Sequence, residues 1–185
     1  MVDQVHRDAE ARMKKSIEKF KSDLLGVRTG KASPGILDPV RIDYYGSVMP
    51  LSQIASVSAP QARLLVVQPW DKGAAEAIVK GIQAADLGLN PAADGDLIRV
   101  PIPALTEERR HELVKQCKKM GEEVRVSIRN VRRDANDELE RHEKEKTISE
   151  DDSRRGQKDI QKLTDEQVRK VDDALAAKEK EILEG

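Results

Sequence analysis

A chain of 185 residues with 36% charged side chains, 2% aromatics and a net charge of -1 suits long amphipathic helices, and it excludes a thick aromatic core. The near-zero total also excludes a uniformly basic nucleic-acid binder, so any such contact must come from a local patch. The length allows one large domain or two small ones, and Cys117, the only cysteine, excludes an internal disulfide.

The first stretch, "MVDQVHRDAEARMKK", mixes acids and bases and has no apolar signal core. No run in the chain is long and apolar enough to span a bilayer, so a reducing cytoplasm and no membrane partner are expected. Val5, Ala9, Met13, Ile17, Phe20 and Leu24 recur at spacings of three or four and predict one amphipathic helix over residues 2–25. Gly26 and Gly30 weaken its continuation and Pro34 forbids it.

"GVRTGKASPG", residues 26–35, has the look of a phosphate-binding loop but not its spacing. Such a loop needs four residues before its Gly-Lys pair and a Ser or Thr after it, and it follows a buried strand. Here three residues separate Gly26 from Gly30, Ala32 follows Lys31, and a helix precedes.

The middle segment is short-period. "VRIDYYG" and "VMPL" alternate around Gly46-Ser47 and predict a hairpin. "ASVSA" and "RLLVVQ" read as strands, the second apolar enough to be buried on both faces. Asp71 is the expected cap of a helix running to about Asp86, with Ala77, Ile78, Ile82 and Ala85 inward. Asp94-Gly95-Asp96 is a turn signal, and "DLIRVPIP" is a last strand.

A second long helical pattern covers 106 to about 146, roughly 60 Å. Its stripe is Leu113, Cys117, Met120, Val124, Val131, Ala135 and Leu139, which makes Cys117 a packed core thiol. Thr106 is its expected cap, and Glu107 and Glu108 suit its positive start. A third helix, 149–184, opens on Ser149 and Asp152 and buries Ile160, Leu163, Val168, Val171, Leu175 and Ile182. The connector around Thr147 and Ile148 is about three residues, so these two helices are antiparallel neighbours. A plain coiled coil would also satisfy the spacing, but the first helix makes an intramolecular bundle the simpler solution.

The expected architecture is therefore α+β: an elongated antiparallel three-helix bundle from 1–29 and 106–185, with a small β/α/β domain of 30–105 inserted. Two connections join them, 26–34 and 101–106. Gly26, Arg28, Thr29, Gly30 and Pro34 in one, with Pro101, Pro103 and Thr106 in the other, compose a joint that bends without wandering. The alternative is a plain loop between packed domains.

No catalytic constellation is visible. His6, His111 and His142 are far apart in sequence and lack metal-ligand spacing; His142 with Glu138 and Glu145 reads as a solvated helix face. No cofactor or metal is expected. The informative cluster is "VRVSIRNVRRDAN", residues 124–136. At about 100° per residue, Val124, Ile128, Val131 and Ala135 face the core. Arg125, Arg129, Arg132 and Asn136 then share an arc of roughly 60°, with Arg133 at its edge. Guanidinium forks suit phosphate oxygens, and Asn suits sugar or base edges. Without aromatics nearby, a folded RNA fits better than stacked single-stranded bases. The alternative is salt-bridging to acids on neighbouring helices. If the first two helices meet at the hinge, Arg7 lies level with Arg129 and extends the patch, while Arg28 stays at the far end.

Taken together, "VRTGKASP", "YYG", "DLGLNP", "IRVPIPALTEERR", "SIRNVRRDAND", "ISEDD" and "QKLTD" span nearly the whole chain. In that order they resemble the bacterial ribosome recycling factor family. Lys31 stands where the family usually has Arg, and Ala104 replaces a common Pro. The resemblance implies an L-shaped protein with a flexible elbow, acting as a monomer between the ribosomal subunits. It implies that the bundle lies on large-subunit ribosomal RNA, with Arg129 and Arg132 in that contact. It also implies that, with elongation factor G and GTP hydrolysis by that factor, the post-termination ribosome is split and mRNA and tRNA are released. The chain itself would hydrolyse nothing. Two other classes remain in view: a coiled-coil adaptor that never touches RNA, and a nucleotide-binding enzyme using residues 26–35.

Overall fold

The structure, a computed structural model, describes residues 1–185. The chain divides into two compact units, Met1–Arg28 with Glu107–Glu184, and Thr29–Thr106.

The first unit is three helices: α1 (Val2–Leu25), α3 (Glu107–Lys144) and α4 (Glu150–Glu184). α1 buries the six residues its periodicity selects, Val5 through Leu24. Ser149 caps α4, its Oγ accepting from the Asp152 amide at 3.0 Å. α3 ends with Lys146 at φ 56°, and the Thr147 amide reaches back to the His142 carbonyl at 2.9 Å. A left-handed residue at that position closes a helix by satisfying its last carbonyls.

The buried stripes depart from the expected ones where a neighbouring helix intervenes. On α3, Met120 and Val124 are only half-buried, lining a shallow groove with Ser16 and Phe20 of α1, while Gly121 and Ile128 are fully enclosed. Gly121 permits a close approach, since a Cβ there would meet Leu175 Cδ2 at 3.1 Å. On α4, Val168 is half-exposed, and Ser153, Thr164 and Gln167 are buried instead. Thr164 satisfies its hydroxyl on the Ile160 carbonyl at 2.7 Å, so its burial leaves no orphan. Cys117 is fully buried, and burial pushes its thiol pKa up.

The second unit pairs a hairpin, β1 (Arg41–Tyr44) with β2 (Ser47–Pro50), with a four-stranded sheet ordered β3-β4-β6-β5. Its strands are β3 (Ala55–Gln61), β4 (Leu64–Pro69), β5 (Ala92–Asp94) and β6 (Leu97–Pro101), all antiparallel. The one-sided core explains a correction: β4 is not buried on both faces. Leu65 and Val67 are enclosed, Leu64 and Val66 only partly, as in an antiparallel sheet covered on one side. The Asp94-Gly95-Asp96 turn closes a β5–β6 hairpin.

Helix α2 (Ala75–Ala84) is shorter than expected, because a 3-10 turn over Lys72–Ala74 precedes it. Asp71 caps that turn, accepting from the Gly73 amide at 2.9 Å. α2 buries Ile78, Gly81 and Ile82, and its backbone rides directly on β1. A Cβ on Gly81 would lie 2.4 Å from Ile42 Cδ1 and 2.9 Å from the Arg41 carbonyl.

Several residues of the two connectors belong to regular structure in this unit. Pro34 starts a 3-10 turn, and Pro101 pairs with Leu64 at the end of β6. The Ala32 amide donates to the Ala62 carbonyl at 2.7 Å, and the Ile102 amide to Arg63 at 2.9 Å. Both connectors are thus tied to the same β3–β4 turn. Gly30 needs its glycine, with φ 82° and Leu105 Cγ 3.3 Å from a would-be Cβ. Gly26 has ordinary helical φ and ψ.

Candidate nucleic-acid interface

The α3 arginines were selected by helical phase alone, and packing against α4 sorts them. Arg125 is half-buried, its side chain 21% exposed. Its Nε and Nη2 donate to Asp172 Oδ1 at 2.9 and 2.6 Å, and its Nη1 to Glu122 Oε2 at 3.3 Å. These bonds, Asp172 foremost, hold its pKa above the usual guanidinium value. The salt-bridge alternative is therefore realised at Arg125. Arg129 also meets Glu122, at 3.2 Å, but its side chain stays 47% exposed. Arg132 donates to a neutral partner, Gln161 Oε1, at 3.2 Å. Arg133 is exposed and makes no ion pair. Asn136 is half-buried, with its Oδ1 enclosed and unbonded.

Arg129 and Arg132 line one wall of a groove of about 350 Å³ between α3 and α4. The opposite wall brings in a residue that helical phase on α3 had no means of finding, Arg169. Arg169 is exposed and unpaired, and it faces the same space as Gln161, Asp165 and Asp172. Its signal in the sequence is faint: a single base beside Val168, which reads as core by spacing. Of the charged residues that line the groove, three are arginines, Arg129, Arg132 and Arg169, and two are aspartates, Asp165 and Asp172.

Arg7 does not join this face. α1 meets α3 through Arg12–Asp134 at 2.7 Å and Ser16–Ser127 at 3.1 Å. That register sets Arg7 near Leu139, about 15 Å along the axis from Arg129. Asp134 and Ser127 also lie on the flank of α3 turned from α4. The Arg7 Nε donates instead to the Asp3 carbonyl at 3.2 Å. The expected level assumed that the end of α1 and the start of α3 meet at the hinge, but α1 ends beside Met120, and the first turns of α3 run on beyond it.

His142 is partly buried rather than solvated; its Nδ1 lies 3.1 Å from Thr147 Oγ1. No group of three or more His, Cys, Asp or Glu side chains is arranged to hold a metal ion, and no helix is long and apolar enough to cross a membrane.

The ribosome recycling factor family model matches residues 20–183. A ribosome-recycling factor of Natranaerobius thermophilus is 54% identical over 181 residues, covering 98% of each chain. One of Symbiobacterium thermophilum is 50% identical over 184 residues, covering 100% of each. Among solved structures, a solution structure of the ribosome recycling factor superposes with TM-score 0.73 at 41% identity, covering 100% of this chain and 98% of that one. A second likeness is the T. thermophilus ribosome recycling factor, placed with E. coli elongation factor G on the E. coli post-termination complex. Its TM-score is 0.62 at 46% identity, with 99% of each chain covered.

A helical bundle joined to a small α/β unit, with relatives of this kind along its whole length, defines a translation factor. The chain belongs to the ribosome recycling factor family.

Proposed function

We propose that this protein binds the post-termination ribosome in the intersubunit space and, with elongation factor G and GTP hydrolysis by that factor, splits it into subunits, freeing mRNA and tRNA. The observation that carries the contact is Arg132. Its partner is an uncharged amide, so its full charge remains for a phosphate. Arg129, Arg133 and Arg169 flank it across the α3–α4 groove. Arg125, engaged by Asp172, is a brace that orients the face. The target is large-subunit ribosomal RNA, read by shape and phosphate rather than by stacked bases.

The moving part in this reading is the pair of connectors. Because Ala32 and Ile102 are bonded to the β3–β4 turn, bending concentrates in Gly26–Gly30 and Pro103–Thr106. The factor acts as a cytoplasmic monomer and performs no hydrolysis of its own; the energy comes from the GTPase.

Light scattering of 70S ribosomes tests this directly. Addition of the protein with elongation factor G and GTP is expected to lower scattering as subunits part, and omission of either factor to abolish the change. Splitting that proceeds equally without this protein would sink the proposal, as would failure to pellet with ribosomes.

A further inference from the structure

Carboxylates are out of place on a face that receives phosphates, because like charges repel. Two of those beside the α3 arginines have a local reason. Asp172 takes two bonds from Arg125, and Glu122 pairs with Arg125 and Arg129. Asp165 has no such reason. It is exposed midway along the α3–α4 groove and makes no ion pair, although Arg169 stands one turn further along the same helix. An acid four residues before a base is the usual arrangement for such a pair.

Gln161 accounts for the separation. Its Nε2 donates to Asp165 Oδ1 at 2.9 Å, while its Oε1 accepts from Arg132 at 3.2 Å. The carboxylate is thereby held in place by an amide that leaves its charge intact. A carboxylate has about four acceptor positions. Gln161 takes one of them, and the others stay open to the groove. Beside it, Val168 is half-exposed, although its spacing marks it as core. That side chain gives the groove an apolar strip on which a flat ring can lie. The groove, about 350 Å³, has room for a single base. No aromatic side chain lines it, so a base there is read at its edge rather than by stacking.

Two neighbouring carboxylate oxygens call for two neighbouring N–H donors. Among the four RNA bases only guanine has them, N1–H and the N2 amine on its Watson–Crick edge. Adenine and cytosine set a ring-nitrogen acceptor beside their amine, and that acceptor would face the second oxygen. Uracil flanks its single N–H with two carbonyls.

We infer that Asp165, positioned by Gln161, reads the Watson–Crick edge of an unpaired guanine in the RNA whose phosphates the arginines hold. This inference rests on the proposed function and adds a base-specific contact to it.

Two measurements on ribosomes test it with Asp165→Asn, an isosteric change at an exposed position, with circular dichroism as the check on fold. The first is a set of binding isotherms at several salt concentrations. The amide cannot accept from both donors, so affinity is expected to fall roughly tenfold without a smaller salt slope. A carboxylate that merely repels phosphates predicts the opposite sign, so unchanged or tighter binding overturns the inference. The second uses kethoxal, which adds across N1 and N2 of an unpaired guanine, with each protein at saturating concentration. The intact protein is expected to shield a large-subunit guanine, and Asp165→Asn to leave that guanine reactive while the ribosome is still occupied. If no guanine depends on Asp165 for its shielding, the inference falls and the proposed function stands. If the intact protein neither binds nor splits ribosomes, both readings fall.

Discussion

Arg132 of α3 donates to Gln161 of α4 at 3.2 Å, and Gln161 in turn donates to Asp165 at 2.9 Å. The carboxylate is thus held one residue away from the guanidinium. Two turns earlier Arg125 has no such intermediary and lies directly on Asp172. The same helix face therefore carries one arginine spent on packing and others left with charge to use.

Arg132→Ala is expected to weaken ribosome binding and to reduce the slope of log affinity against log salt by roughly 0.7–0.9, the loss of one phosphate contact. Arg169→Ala is expected to do the same. Folding stability should change by no more than about 0.5 kcal/mol, because both are surface substitutions. Binding isotherms at several salt concentrations, with thermal melts as control, check this. An unchanged slope for Arg169→Ala alone removes that residue from the contact.

Releasing Arg125 is the opposite manipulation. Asp172→Asn leaves the side-chain shape but removes the charge that engages Arg125. Affinity and salt slope are expected to rise, while stability falls by up to about 1 kcal/mol for a pair with one half-exposed partner. Decreased ribosome affinity in this variant would contradict this and show instead that the Arg125–Asp172 brace matters more to the face than the charge it releases.

Gly81→Ala probes the closest backbone approach in the second unit. The added carbon meets the Arg41 carbonyl at 2.9 Å, and backbone cannot step aside as a side chain can. A loss of about 1–3 kcal/mol is expected. Gly156→Ala meets only side-chain ends, Leu139 Cδ1 and Val2 Cγ1, each at 3.0 Å, and should cost less. Denaturant unfolding of the two variants gives the order.

The Tyr44–Asp71 bond sets a pH window. Asp71 is held below its usual value by the Tyr44 hydroxyl and the Gly73 amide, and Tyr44 is pushed up to about 12, chiefly by its bond to Asp71. A depressed carboxylate contributes stability above its unfolded value of about 3.9 and loses it as pH falls through the folded value. A raised phenol contributes below about 10 and loses that as pH rises toward 12. The link is therefore intact between these limits. Spectrophotometric titration should show a tyrosine ionising at about pH 12, and Tyr44→Phe should abolish that late step.

The amino-acid order alone determined the helices, because their information is local. Apolar spacing marks a face, Ser149 marks a start, and Gly and Pro mark the exits; α1 follows its forecast from Val2 to Leu25. The arc of Arg125, Arg129 and Arg132 is equally local, since a helix has one period. What only the tertiary structure decided is non-local. The slide of α1 along α3 separates Arg7 from Arg129, and the seating of α4 couples Arg125 to Asp172 and brings Arg169 to the groove. Packing also buries Gln167 and Thr164 where spacing favoured Val168. Periodicity fixes angle about an axis, but translation between helices is set by the sum of many side-chain fits, and no single segment contains that sum.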